Sequence, residues 1–136
     1  MEFSGKLACL PGPAGRFETG VEQGLAVEQR KVGRVCVLTV TGELKLGPAV
    51  DDLRGQFKRA LERGDRLFVF NMLKVPWMDS SGIGEVVACY KRVREHKGDL
   101  RVVMRGRAHD LFTFYELHKV CELHETLEDA LGSLAR

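Results

Sequence analysis

The stretch from Leu67 to Val87 constrains the fold more than any other part of the chain. Leu67-Phe68-Val69-Phe70-Asn71-Met72 is a short apolar run of aromatic and β-branched residues, and it reads as a buried strand. Pro76 has no amide proton to give a ladder, so pairing must stop in the loop Lys74 to Asp79. Ile83, Val86, Val87, Tyr90 and Val93 then recur at helical spacing. Ser80 or Ser81 stands where that helix needs an N-cap. A strand that becomes a helix through Asp79-Ser80-Ser81-Gly82 leaves small hydroxyls on a surface corner, beside backbone N–H groups with no helical partner. Such a corner can hold a phosphate, offer a hydroxyl for modification, or simply cap a helix.

The flanking sequence sets the architecture. Leu25 to Val32 and Arg34 to Val40 read as two strands joined at Gly33, a hairpin. After the loop Thr41 to Gly47, Pro48 fits a first helical turn, and Val50, Leu53, Phe57, Ala60 and Leu61 form an apolar stripe that Gly64 ends. The helix after the corner runs to about His96. Leu100 to Met104 is a further strand, and Arg107 to His118 a helix with Leu111, Phe112, Tyr115 and Leu117 inward. Val120 to His124 reads as a strand, and Thr126-Leu127-Glu128-Asp129 as a capping box that opens a last helix. The order β-β-α-β-α-β-α-β-α predicts the α/β class. Right-handed crossovers would then give a small mixed, mostly parallel sheet. Residues 1–22 carry Pro11, Gly12, Pro13, Gly15 and Gly20 without periodicity and are expected to be a flexible arm. Residues 23–136 are expected to be a single domain.

Several chemistries are excluded by what is missing. A net charge of +2 is too small to point to nucleic acid. No apolar run approaches the roughly 18 residues of a spanning helix, so no membrane insertion is expected. Met1-Glu2-Phe3 lacks the basic start of a signal peptide, which points to the cytoplasm. Cys9, Cys36, Cys89 and Cys121 form no Cys-x-x-Cys pair and read as reduced core residues. The scattered His96, His109, His118 and His124 give no metal-ligand spacing. A nucleophile elbow fails around Ser80 and Ser81 for want of the first glycine. Gly82-Ile83-Gly84 lacks the third glycine of a dinucleotide fingerprint, and the chain has no Gly-Lys-Ser/Thr loop. Neither a hydrolase nor a nucleotide-binding domain is expected, nor a cofactor.

Met78-Asp79-Ser80-Ser81-Gly82-Ile83-Gly84, preceded by an apolar strand ending in Asn71, resembles the signature of the STAS domain family, and more narrowly that of stand-alone bacterial anti-sigma factor antagonists. Val40-Thr41-Gly42-Glu43-Leu44 is similar to that family's second-strand exit, and Leu111 to Val120 with Thr126 to Leu134 to its closing elements. The resemblance implies a STAS-like fold with helices mainly on one face of the sheet. It implies a non-enzymatic switch in transcription regulation. The unmodified protein binds a serine kinase that is itself the anti-sigma factor, phosphorylation of Ser80 releases it, and a PP2C-type phosphatase restores the first state. It places Gly42, Glu43, Lys45, Trp77, Asp79, Ser81, Gly82 and Glu85 on the partner surface around Ser80. It leaves open a homodimer, and a second role as an unphosphorylated structural STAS module in a signalling scaffold or lipid transporter.

A phosphate on Ser80 would add about −1.5 to −2 charge at a helix N-terminus, where the dipole favours anions. The expectation is a switch acting through the surface with little backbone change. Asp79 and Glu85 would form one acidic spot with the phosphate, and Gly82 and Gly84 would crowd nothing. Lys45 stands where many of these antagonists carry an acidic residue, which implies a partner of different charge preference.

Overall fold

The computed structural model describes residues 26–135; the arm expected over residues 1–22 lies outside them, as does Cys9. The described residues form β1 (Ala26–Val32), β2 (Val35–Thr41), α1 (Pro48–Arg63), β3 (Leu67–Lys74) and α2 (Ser80–Glu95). Then come β4 (Asp99–Val103), α3 (Gly106–Phe114), a 3-10 turn (Leu117–Lys119), β5 (Glu122–His124) and α4 (Leu127–Ala135). This is the predicted order, with the 3-10 turn added.

The five strands lie side by side in sequence order. β1 and β2 pair antiparallel across Gly33, which takes a φ of 61° that glycine adopts without steric cost. The remaining pairs are parallel, with Val35 opposite Leu67, Phe68 opposite Leu100 and Val102 opposite Leu123. Period-2 alternation sorts the side chains. Cys36, Leu38, Val40, Phe68, Phe70, Met72, Leu100 and Val102 face the main core, which α1 fills with Leu53 and Phe57, α2 with Val86 and Val93, and α3 with Phe112. Phe57 packs on Phe68 and Phe70 with ring centroids 4.8 and 5.9 Å away. Val35, Val37, Val69 and Val103 face the other way, onto Ala130 and Leu134 of α4. Three helices therefore cover one face and α4 the other, in line with helices mainly on one face.

Cys36, Cys89 and Cys121 are buried free thiols. Burial pushes Cys36 up to about 11 and Cys121 up to about 12, so both stay protonated core side chains. Two residues expected inward on α3 are not in the core: Leu111 is only half-buried, and Tyr115 is exposed. α3 ends at Phe114, and Glu116 takes a left-handed φ of 59°, so the helical stripe stops before Tyr115. Tyr115 stands exposed against the still more exposed Phe114.

The parallel pairing of β2 with β3 positions the candidate site. Both strands run to the same edge of the sheet, so the loop after β2 and the loop after β3 leave side by side.

Candidate functional site

The two loops are joined by a short ladder. Gly42 N–H donates to Lys74 O at 3.1 Å, Leu44 N–H to Trp77 O at 3.1 Å, and Asp79 N–H to Leu44 O at 3.2 Å. Leu44 and Met78 form a parallel bridge, and both side chains are buried. The corner before α2 is thus part of a paired framework and not a free loop.

The cap of α2 is Asp79, not Ser80 or Ser81 as the sequence suggested. Asp79 takes the extended conformation of an N-cap, and its carboxylate accepts from Gly82 N–H at 2.9 Å. Its second oxygen accepts from Leu46 N–H at 3.0 Å. A carboxylate has two separate acceptor oxygens with which to bridge α2 and the loop after β2, where a serine hydroxyl offers one. Ser80 is freed of capping by this arrangement. It is the first residue of α2 and is exposed, while Ser81 is half-buried.

Hydrogen bonds from Leu46 N–H and Gly82 N–H hold the Asp79 carboxyl below the usual carboxylate range. A depressed folded-state value gives stability that is present above the unfolded value of about 4 and is lost as pH falls through the folded one. The stability gap between wild type and Asp79→Ala is therefore expected to be about 1 kcal/mol near neutral pH. It should close as the pH falls below about 4, read as urea midpoints along a pH series.

Two expectations about neighbours are corrected. Glu85 does not join an acidic spot with Asp79. It is 7% exposed, and Arg54 of α1 donates to its Oε1 from Nε at 2.9 Å, with Nη2 at 2.8 Å. The Cys89 thiol donates to its other oxygen at 3.4 Å. Glu85 lies on the inner side of α2, five residues past Ser80, and serves to tie α2 to α1. Arg54→Ala would leave this carboxylate buried without its cation. The variant is expected to unfold at a lower urea midpoint than wild type, by a margin moderated because the Arg54 side chain is itself solvated.

Gly82 is the second correction. It was expected to crowd nothing, yet it is buried, and a Cβ there would lie 2.3 Å from Leu44 O. Gly84, by contrast, has open space around it, as expected.

The remaining candidates lie on or beside the joined loops. Gly42 takes a φ of 102° where β2 ends. Glu43 and Lys45 are exposed and pair with each other at 3.5 Å, so Lys45 does not give the loop a free positive charge. Trp77 is 40% exposed, with its carbonyl in the ladder. Leu46, 74% exposed, was missed, because a single leucine between Lys45 and Gly47 gives no periodic signal. The corner therefore presents one exposed serine on a fixed backbone, flanked by two exposed apolar side chains. It offers no cluster of acid, base and nucleophile, and the described residues hold no group of three or more potential metal ligands. No helix among them is long and apolar enough to cross a membrane.

The STAS domain family model matches residues 26–130, from the first residue of β1 into α4. An anti-sigma factor antagonist from Mycobacterium paratuberculosis superposes with a TM-score of 0.75 at 20% identity, covering 87% of this chain and all 100% of that one. The Bacillus cell fate determinant SpoIIAA, in its phosphorylated form, gives 0.65 at 24% identity, over 82% and 100% of the two chains. A sulfate transporter family protein from Wolinella succinogenes gives 0.64 at 14% identity, over 76% and 87%. At these identities the likeness is one of fold. On the strength of the family match across every described strand, the chain belongs to the STAS domain family.

Proposed function

We propose that this chain is a cytoplasmic, non-enzymatic switch of the anti-sigma factor antagonist type. Unmodified, it binds a serine kinase that also holds a sigma factor, and phosphorylation of Ser80 releases it. The γ-phosphoryl group of ATP passes to Ser80 Oγ, ADP leaves, and the hydroxyl proton goes to the kinase. A PP2C-type phosphatase hydrolyses the ester and restores the binding form. The reading is carried by the exposure of Ser80 at the first position of α2, on a corner whose backbone is held by the two joined loops. An exposed hydroxyl lets a kinase reach it, and a held backbone lets added charge act without refolding the domain. One of the N-terminal amides that would stabilise the phosphate, Gly82 N–H, is already taken by Asp79, which reduces what the helix terminus can contribute here. The charge then acts mainly on the partner, through like-charge contact and desolvation.

The fold shared with the Wolinella succinogenes protein supports a second reading, a structural module in a scaffold or transporter with no phosphate at Ser80. Titration of the chain's cognate serine kinase separates the two. The unmodified chain is expected to bind, the ATP-treated chain to bind at least tenfold more weakly, and phosphatase treatment to restore binding. Equal binding before and after ATP would favour the structural module.

A further inference from the structure

The Asp79 carboxylate makes two bonds that differ in reach. Oδ1 accepts from Gly82 N–H within α2, while Oδ2 accepts from Leu46 N–H, at the tip of the loop after β2. The other links between the loops, through Gly42, Leu44 and Asp79 N–H, use backbone atoms alone. The base of the loop is thus independent of the carboxylate, and the tip at Leu46 depends on it. Ser80 is the next residue, and a phosphate on its Oγ would put a second anion beside the same N-terminal amides. Two anions on adjacent residues repel, and of the two carboxylate bonds the exposed one, to Leu46 N–H, yields more readily than the part-buried one to Gly82 N–H.

We infer that Asp79 is the positioning residue that carries the state of Ser80 to Leu46: a phosphate at Ser80 drives the carboxylate off Leu46 N–H and frees the loop tip. This rests on the reading of Ser80 as the phosphate acceptor, and it gives the switch a second, local part. The exposed Leu46 side chain is held out by a tip whose amide is fixed in the unmodified protein and released in the phosphorylated one. Leu44 stays bridged to Met78 in both states, so the change does not spread into the sheet.

The test uses phosphoserine placed at position 80 during translation, so that no kinase is needed. Amide exchange and chemical shifts are followed by NMR in the full chain. Leu46 N–H is expected to exchange roughly tenfold faster, and to move upfield, with phosphoserine at position 80, while Leu44 N–H stays unchanged. Asp79→Asn keeps an acceptor for Gly82 but turns an amide nitrogen toward Leu46, so its tip is already released and phosphate adds nothing there. With the kinase as partner, the affinity ratio of unmodified to phosphorylated chain should shrink about fivefold or more in Asp79→Asn. A merely structural Asp79 would weaken both forms equally and leave that ratio alone. Leu46 exchange that ignores the phosphate, or an unchanged ratio, would overturn the inference. A kinase that never modifies Ser80 would instead overturn the functional reading, and the exchange result on encoded phosphoserine would stand apart from it.

Discussion

Gly82→Ala is expected to destabilise the domain by about 2–3 kcal/mol, whereas Gly84→Ala leaves stability unchanged or raises it by up to about 1 kcal/mol. Both glycines lie in the first turns of α2, two residues apart. The difference is what a methyl group would meet. At Gly82 it would lie 2.3 Å from Leu44 O, a backbone atom that already accepts from Asp79 N–H. Leu44 cannot retreat cheaply, because its own N–H is held by Trp77 O and its side chain is sealed in the core. Either α2 or the loop must shift, and the Asp79 cap breaks with it. At Gly84 the methyl enters open space and only narrows the freedom of the unfolded chain. Urea midpoints for the two variants measure both effects in one series. Similar midpoints would mean that the close approach of loop and helix is absent in solution.

Ser80→Asp is expected to weaken kinase binding by about 100-fold, and Ser80→Ala to change it by less than about threefold, with both variants folding normally. The corner starts with one uncompensated charge. Asp79 is an anion held by two neutral backbone amides, while Glu85 faces Arg54 and Glu43 pairs with Lys45. A new exposed charge therefore changes the local field by a large fraction, and a docking partner must either desolvate it or stay away. Aspartate supplies about one charge where a phosphate supplies up to two, so true phosphorylation should have the larger effect. Calorimetric titration of the kinase with the three proteins reads this directly. If the aspartate variant binds as well as wild type, charge at position 80 is not what governs release.

Most of the framework was legible in the sequence. The alternation in Val35 to Val40, the apolar run from Leu67, the stripe through Leu53 and Phe57, and the punctuation by Gly33, Pro48 and Gly64 are local signals, and each marks the element it predicted. What was not legible depends on contacts across the fold. Asp79 won the cap from Ser80 and Ser81 because a second donor, Leu46 N–H, arrives from 33 residues away. Glu85 reads as a surface charge in sequence, because its partner, Arg54, lies on a neighbouring helix. Gly82 and Gly84 are alike in sequence and opposite in packing, because only one lies under Leu44. Tyr115 fitted the helical stripe, but the helix ended one residue earlier. Leu46 had no pattern to reveal it. Periodicity reports which face a residue shares with its near neighbours, and it carries no information on which distant atom sits opposite.

One exposed hydroxyl, on a corner fixed by two joined loops, is proposed to carry the switch. Incubating the intact chain with its cognate serine kinase and ATP, and mapping the product by mass spectrometry, should give a single phosphate on Ser80, none on the half-buried Ser81, and none at all on Ser80→Ala. A phosphate found on another residue, or a chain left unmodified by a kinase that binds it, would rule this switch out.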